Sequence, residues 1–285
     1  MSYLAHIDTT SPETLSRLPV YVAAGAIAIQ CSLVSVYVVL RQMSFVGHGV
    51  SHAALAGVGV AAILGWTGNP LLVLVGLSCL GASVGILLLT RRTTSAQIEH
   101  DDTAIGIVLA AFMALGAVLL AWRSRHPLPG VETDLHWEEV LFGSIADVGG
   151  SGAWMAWASC VLVGVVLFHS RRAMLLWVYD PVAARLSGVR ELSVQLILML
   201  LITAIIVVSV RLAGVVLVTA LLILPAAIGL RLSSRLAMVF GLTVAIGLLA
   251  TLVGIALAFE FALPPGACVV LTLTGVYCGV RLSGR

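Results

Sequence analysis

The chain has 285 residues, of which 60% are hydrophobic and only 10% are charged, and its mean hydropathy is +1.13. A soluble domain carries about 25% charged residues, so this composition excludes a water-soluble protein and predicts one embedded in the lipid bilayer. The net charge of +2 comes from scattered arginines without any lysine, so no basic patch indicates nucleic-acid binding, and we expect no nucleic acid among its partners.

Nine apolar stretches approach the length of about 20 residues that a membrane-spanning helix needs. In chain order they lie near 19–40, 48–66, 70–90, 102–122, 152–168, 193–210, 213–230, 235–259 and 265–281. The sixth and seventh meet at Arg211 to Ala213, so this pair forms either a hairpin with a very short turn or a broken helix. The sequence therefore predicts an all-α, polytopic membrane protein with about eight to nine transmembrane helices in one domain, residues 1–285.

The positions of the arginines predict the orientation, because short cytoplasmic loops hold an excess of positive charge. An outward N-terminus and a cytoplasmic C-terminus place eleven arginines inside and four outside. The four outer ones are Arg17, Arg123, Arg125 and Arg211. The inverted topology would reverse this ratio, so we expect the N-terminus to lie outside.

The stretch RQMSFVGHGVSHAALAGVGVAAILG contains His48 and His52, which project from the same helical face because they are four residues apart. Ionisable residues inside a membrane span usually face the bundle interior or a water-filled path, and two imidazoles on one face can share a metal ion. The glycines and alanines around them would allow close approach of another helix. The alternative is that both histidines hydrogen-bond to neighbouring helices and only hold the bundle together.

Two more polar regions separate the spans. Residues 123–151 are expected to form an outer loop with a short interfacial helix, and residues 169–192 an inner loop with a short helix along the membrane. The outer loop offers metal ligands, although solvated loop charge is the favoured interpretation of these residues. These ligands are His126, Glu132, Asp134, His136, Glu138 and Glu139.

Several catalytic motifs are absent from the sequence. It contains no G-x-x-x-x-G-K-[ST] phosphate loop, no H-E-x-x-H and no G-x-S-x-G. We therefore expect no catalytic residue, and uphill transport would need an ion gradient or a partner ATPase.

Six motifs follow one another along nearly the whole chain: RQMSFVGHGVSHAALAGV, DDTAIGIVLAAFMALGAVL, LFGSI, YDPVAARLSGV, AGVVLVTALLILPAAIGLRL and LPPGACVVL. In this order they resemble the permeases of metal-importing ABC transporters, which move zinc, manganese or iron. The resemblance implies a permease domain in the bacterial plasma (inner) membrane. It also implies three partners: a cytoplasmic ABC ATPase dimer that hydrolyses the ATP, an extracytoplasmic metal-binding protein, and a second copy of the chain.

The resemblance implies that His52 belongs to the metal site of the translocation path and that His48 is its partner. The family commonly has aspartate at the position of His48. Because imidazole suits zinc better than manganese, this departure favours zinc, so the expected cargo is Zn²⁺ or Mn²⁺, with no tightly bound cofactor. The resemblance further implies that Asp180, Ala183 and Gly188 lie in a cytoplasmic coupling helix that docks on the ATPase.

Three other functions remain open on the sequence alone. A gradient-driven metal transporter has a similar composition but would not need the YDPVAARLSG loop. A structural membrane subunit would use the histidines only to tie helices together. A vitamin or siderophore permease also has a coupling helix, although the closely spaced histidines favour a bare metal ion.

Overall fold

The computed structural model of the protein describes residues 12–66, 69–91, 99–126 and 150–283. In these residues the chain forms helices and no β-strand, which confirms the all-α prediction. The described ranges contain ten helices: α1 (Pro12–Leu40), α2 (Ser44–Leu64), α3 (Asn69–Arg91), α4 (Glu99–Arg125), α5 (Gly150–Tyr179), α6 (Pro181–Leu186), α7 (Glu191–Leu221), α8 (Leu224–Leu232), α9 (Leu236–Phe261) and α10 (Pro265–Leu282).

Within these ranges, eight helical segments are long and apolar enough to cross a bilayer, and a ninth apolar segment, Val73–Leu88, is shorter. This agrees with the predicted eight to nine transmembrane helices. Many large apolar side chains on the outside of the bundle are exposed, as expected for a surface that contacts lipid.

The chain reverses direction at Gly214, which interrupts α7 with φ = 78° and ψ = 162°. Glu191, at the start of α7, contacts Arg41 just beyond the end of α1. Ala226 of α8 packs in one cluster with Val36, near the same end of α1. The chain therefore leaves that end of the bundle and returns to it, so the hairpin alternative describes this pair of spans. Glycine suits the reversal because its missing Cβ permits positive φ.

The returning arm of this hairpin is itself interrupted before Pro225. Helix α7 ends at Leu221, and α8 begins at Leu224, so that Pro225 occupies the first turn of a new helix. Proline is tolerated there because its missing N–H would have no partner within the helix. Pro225 is buried, consistent with the rule that irregular backbone at membrane depth is covered by protein.

Helix α2 packs tightly against α3 and α4 through glycines. A Cβ at Gly57 would lie 2.6 Å from Cα of Val75 in α3, and a Cβ at Gly59 would lie 2.8 Å from Cβ of Leu119 in α4. On the facing helix, a Cβ at Gly116 would lie 2.7 Å from the carbonyl carbon of Leu55. The close approach that the small residues predict is therefore present, and it fixes α2 between two neighbours.

Among the described helices, α4 and α5 extend furthest beyond their predicted ends. Helix α4 runs to Arg125 rather than to 122, and α5 runs to Tyr179 rather than to 168. In α5 the polar residues from His169 to Arg172 ended the hydropathy-based prediction, but the helix continues because Met174 and Trp177 are buried in the core. The expected inner loop, 169–192, thus begins as helix, and most of the outer loop, 127–149, lies outside the described residues.

Candidate metal site

Both predicted ligands lie near the beginning of α2, one and two helical turns after its first residue, Ser44. Most of α2 is buried, but His48 and His52 are only half-buried. Phe45, three residues before His48 and on the same face, is 59% exposed. The two histidines therefore lie on the least covered edge of the helix, where an ion or a second chain could reach them.

The two imidazole rings lie directly beside each other. Their centroids are 4.4 Å apart and their planes are inclined at 70°. Two nitrogens that bind one tetrahedral zinc ion are about 3.3 Å apart, because each zinc–nitrogen bond is about 2.0 to 2.1 Å long. The spacing of the rings is therefore compatible with two bonds to a single ion after small side-chain rotations.

Nδ1 of His52 is buried and has no hydrogen-bond partner in the described part of the chain. Buried polar atoms almost always have a partner, so an unpaired nitrogen requires an explanation. It also weakens the alternative that the histidines tie helices together, because such a role would need hydrogen bonds from the rings to neighbouring helices.

The described part of the chain provides only part of a coordination shell. Among the described residues, no group of three or more His, Cys, Asp or Glu side chains is placed to hold a metal ion. A structural zinc site uses four protein ligands, and a catalytic one uses three plus water. The pair on α2 could thus bind an ion firmly only with donors from elsewhere, which fits a passage site better than a storage site.

The predicted coupling residues form a short capped helix. Asp180 caps α6, since its carboxylate accepts a hydrogen bond from the backbone N–H of Ala183 at 2.8 Å. Gly188 ends the segment with φ = 79°, a conformation that favours glycine. Between them, Val182 and Leu186, one turn apart, are 65% and 85% exposed. Helix α6 therefore presents a small apolar surface outside the bundle.

Of the predicted outer-loop ligands, the structure describes His126. Its ring stacks on Trp122 with centroids 4.7 Å apart, and its Nδ1 lies 3.1 Å from the carbonyl oxygen of Trp122. The other five lie outside the described residues. They are Glu132, Asp134, His136, Glu138 and Glu139.

The structure adds a cluster of polar residues that the sequence analysis missed. The carboxylate of Glu191 lies 3.4 Å from Arg41 and 3.0 Å from Arg185, and it accepts a hydrogen bond from the indole of Trp177 at 3.3 Å. These residues come from four segments, and Arg41 and Glu191 are 150 positions apart. No local spacing in the sequence could have indicated this arrangement.

Comparisons with known proteins agree with this architecture. The profile of the ABC 3 transport family matches residues 15–283. The manganese import system permease protein ScaB of Streptococcus parasanguinis is 33% identical over 251 residues, which cover 88% of this chain and 84% of that protein. The manganese transport system membrane protein MntC of Listeria innocua is 30% identical over 258 residues, covering 90% of this chain and 86% of that protein.

The fold is shared with a solved structure, that of PsaBC from Streptococcus pneumoniae in complex with Fab. The match has a TM-score of 0.78 at 25% identity, and it covers 93% of this chain and 90% of that chain. Together with the profile match, this confirms the resemblance to ABC transporter permeases that the six sequence motifs indicated. The chain, a multi-pass membrane protein, belongs to the ABC 3 transport family.

Proposed function

We propose that the chain is the membrane-spanning subunit of an ATP-driven importer for a divalent transition metal, and that His48 and His52 bind the ion during its passage. The observation that carries this proposal is the buried, unpartnered Nδ1 of His52 beside a second imidazole on the least covered edge of α2. A bound metal ion is a natural partner for such a nitrogen. An ionisable side chain inside the membrane is energetically costly, and this cost also argues against a merely structural role for the histidine.

A second copy of the chain would complete the site. Two histidines from each subunit of a symmetric dimer provide four imidazoles around a twofold axis, which equals the ligand number of a tetrahedral ion. The half-covered edge of α2 is compatible with such a dimer contact. Passage requires weak or transient binding, so the site should hold the ion less tightly than the extracytoplasmic binding protein that delivers it.

The energy would come from a separate ATPase, since the chain has no phosphate loop. We place the docking site on α6, where the exposed Val182 and Leu186 lie between the Asp180 cap and Gly188. Short apolar helices that project from a bundle suit insertion into a groove of a partner protein. This placement requires α6 to face the cytoplasm, as the distribution of arginines also predicts.

Two observations bear on the metal and favour different ions. The paired imidazoles favour zinc, because nitrogen ligands suit zinc better than they suit manganese. The names of the relatives from Streptococcus parasanguinis and Listeria innocua favour manganese. We propose zinc as the preferred cargo, because His48 belongs to this chain itself, and we keep manganese as the second candidate.

Uptake of radioactive zinc and manganese tests the proposal. Cells or vesicles would contain the chain with its ATPase and binding protein. We expect ATP-dependent zinc uptake in the wild type, at least a tenfold loss in His52→Ala, and a shift of preference toward manganese in His48→Asp. The shift is expected because a carboxylate oxygen replaces an imidazole nitrogen.

The matched control is His169→Ala, which removes an exposed histidine of α5 and should leave uptake unchanged. If uptake continues at the wild-type rate in both His48 and His52 variants, the site assignment is wrong. If uptake survives ATP depletion but stops with an uncoupler, the transporter is driven by an ion gradient. Preferred uptake of manganese by the wild type would overturn the zinc preference alone.

A further inference from the structure

We infer that Glu191 is a positioning residue that links the movement of helix α6 to the metal-binding end of helix α2. This inference rests on the proposed function, since it concerns how ATP hydrolysis would reach the ion. It concerns the Glu191 cluster, defined as Glu191, Arg41, Arg185 and Trp177. The cluster joins α5, α6, α7 and the turn between α1 and α2.

Both oxygens of the Glu191 carboxylate have partners. Oε1 accepts from the Trp177 indole at 3.3 Å and lies 3.4 Å from the Arg41 guanidinium, whereas Oε2 lies 3.0 Å from Arg185 of α6. An acidic residue in the first turn of a helix is usually explained by the helix dipole alone. That explanation does not account for three side-chain partners from three other segments.

Arg41 is held from two directions. Its guanidinium lies 3.7 Å above the ring of Trp177, which is 2% exposed and therefore forms part of the fixed core. Burial lowers the pKa of Arg41, and the carboxylate of Glu191 opposes that effect. The side chain of Arg41 is 22% exposed, so without the Glu191 carboxylate its guanidinium could turn from the indole toward water, and the position of Arg41 therefore depends on Glu191.

The segment from Arg41 to α2 is short, and all three of its backbone N–H groups are hydrogen-bonded. Its backbone N–H groups at Arg41, Gln42 and Met43 donate to the carbonyls of Tyr37, Val39 and Val38 at 3.1, 3.1 and 2.9 Å. Helix α2 begins at the next residue, Ser44, and His48 follows one turn later, about 6 Å along the axis. A displacement of Arg41 would therefore reach the histidine pair through a stiff connection.

The remaining link is Arg185, which lies in the last turn of α6 and is the partner that would move with the ATPase. The side chain of Arg185 is 65% exposed and that of Glu191 is 37% exposed. Ion pairs exposed to this extent contribute little to stability. The main effect of the Glu191 cluster should thus be on the transmission of movement, not on the free energy of unfolding.

The first test compares Glu191→Gln with the wild type in proteoliposomes that contain the complete transporter, with zinc and manganese as the probes. We expect the number of ions transported per ATP hydrolysed to fall at least tenfold, while ATP hydrolysis and the unfolding temperature in detergent stay near wild type. Glu191→Asp keeps the negative charge, so its number of ions transported per ATP should lie between those of Glu191→Gln and the wild type. The matched control is Glu260→Gln, which changes an exposed carboxylate outside the cluster and should have no effect.

An unchanged ratio in Glu191→Gln would overturn the inference. So would a variant in which uptake, ATP hydrolysis and thermal stability fall together, because Glu191 would then be only a structural or docking residue. A wild type that transports neither metal contradicts the proposed function and not the link itself.

A second measurement tests the link without any transported ion. A cysteine at Ser44, the half-buried first residue of α2, in a Cys278→Ser background, would report movement at the start of α2 by its rate of reaction with a maleimide. The inference requires ATP to change that rate in otherwise wild-type protein and not in Glu191→Gln. An equal change in both proteins would refute it.

Discussion

Gln30 connects three helices in the middle of the bundle. Its side-chain oxygen accepts from Ser159 of α5 at 2.9 Å, and its nitrogen donates to Ser209 of α7 at 3.4 Å. All three residues are buried. Because no water competes inside a membrane bundle, these bonds hold α1, α5 and α7 in register.

Replacement of Gln30 by leucine should destabilise the protein by about 0.6 to 1.7 kcal/mol, which are the average and the maximum measured for hydrogen bonds between membrane helices. The volume is nearly kept, but the hydroxyls of Ser159 and Ser209 lose their partner. Reversible unfolding in mixed micelles measures this cost. Thr274→Ala is the control, because that exposed hydroxyl bonds only within its own helix, and its loss should be nearly neutral. Equal stability of the two variants would contradict the role of Gln30.

Only part of the residue-level chemistry could be predicted from the sequence. The pair of His48 and His52 was recognisable because its members are four positions apart within one apolar stretch. The partners of Gln30 lie 129 and 179 positions away, so their contact depends on the packing of three helices. The Glu191 cluster was missed for the same reason.

At the scale of the helices, the position of the candidate site depends on how α2 packs. Gly57 touches the backbone of Val75 so closely that a Cβ would lie 2.6 Å from its Cα. Backbone atoms cannot move aside as a flexible side chain can. The separation of α2 and α3 therefore depends on the missing side chain at Gly57. The position of His52, five residues earlier in α2, depends on it too.

The substitution Gly57→Val should force α2 and α3 apart and destabilise the bundle by about 1 to 3 kcal/mol, the usual cost of overpacking. We expect metal uptake to fall at least tenfold, because His52 would move. The measurements are unfolding in micelles and uptake in vesicles. Gly164→Val makes the same change in α5 at a place with nothing within 4 Å, and it should retain both properties. Normal uptake by Gly57→Val would show that the site tolerates movement of α2.

The sequence predicts the helices well where hydropathy alone determines their number and position. It predicts them less well where packing determines where a helix ends. Their number follows from the lengths of the apolar stretches. The extension of α5 to Tyr179 does not, because it passes through charged residues and depends on the burial of Trp177. The hairpin at Gly214 was one of two alternatives, and contacts made by Glu191 and Ala226 with distant parts of the chain distinguish it.

At the scale of the whole molecule, charged residues mark two opposite ends of the bundle. Arg41, Arg185 and Glu191 meet just before the beginning of α2. Nε of Arg123 donates to the carbonyl of Ala62 at 2.8 Å, near the end of the same helix. The arginine-based orientation places Arg41 and Arg185 on the cytoplasmic side of the membrane. It places Arg123 on the outer side. The two ends agree with that division.

Two matched serine-to-cysteine variants would determine the orientation, in a Cys278→Ser background that removes the exposed native cysteine. Ser124 is exposed near the end of α4, and Ser187 is exposed just after α6. If α6 docks on a cytoplasmic ATPase, a membrane-impermeant maleimide should label Ser124→Cys in intact cells and label Ser187→Cys only after permeabilisation. The reversed pattern would place α6 outside, where no ATP is available, and would contradict both the arginine-based orientation and ATPase docking on α6. Metal uptake by each variant should first be shown to be normal, so that labelling reports the functional protein.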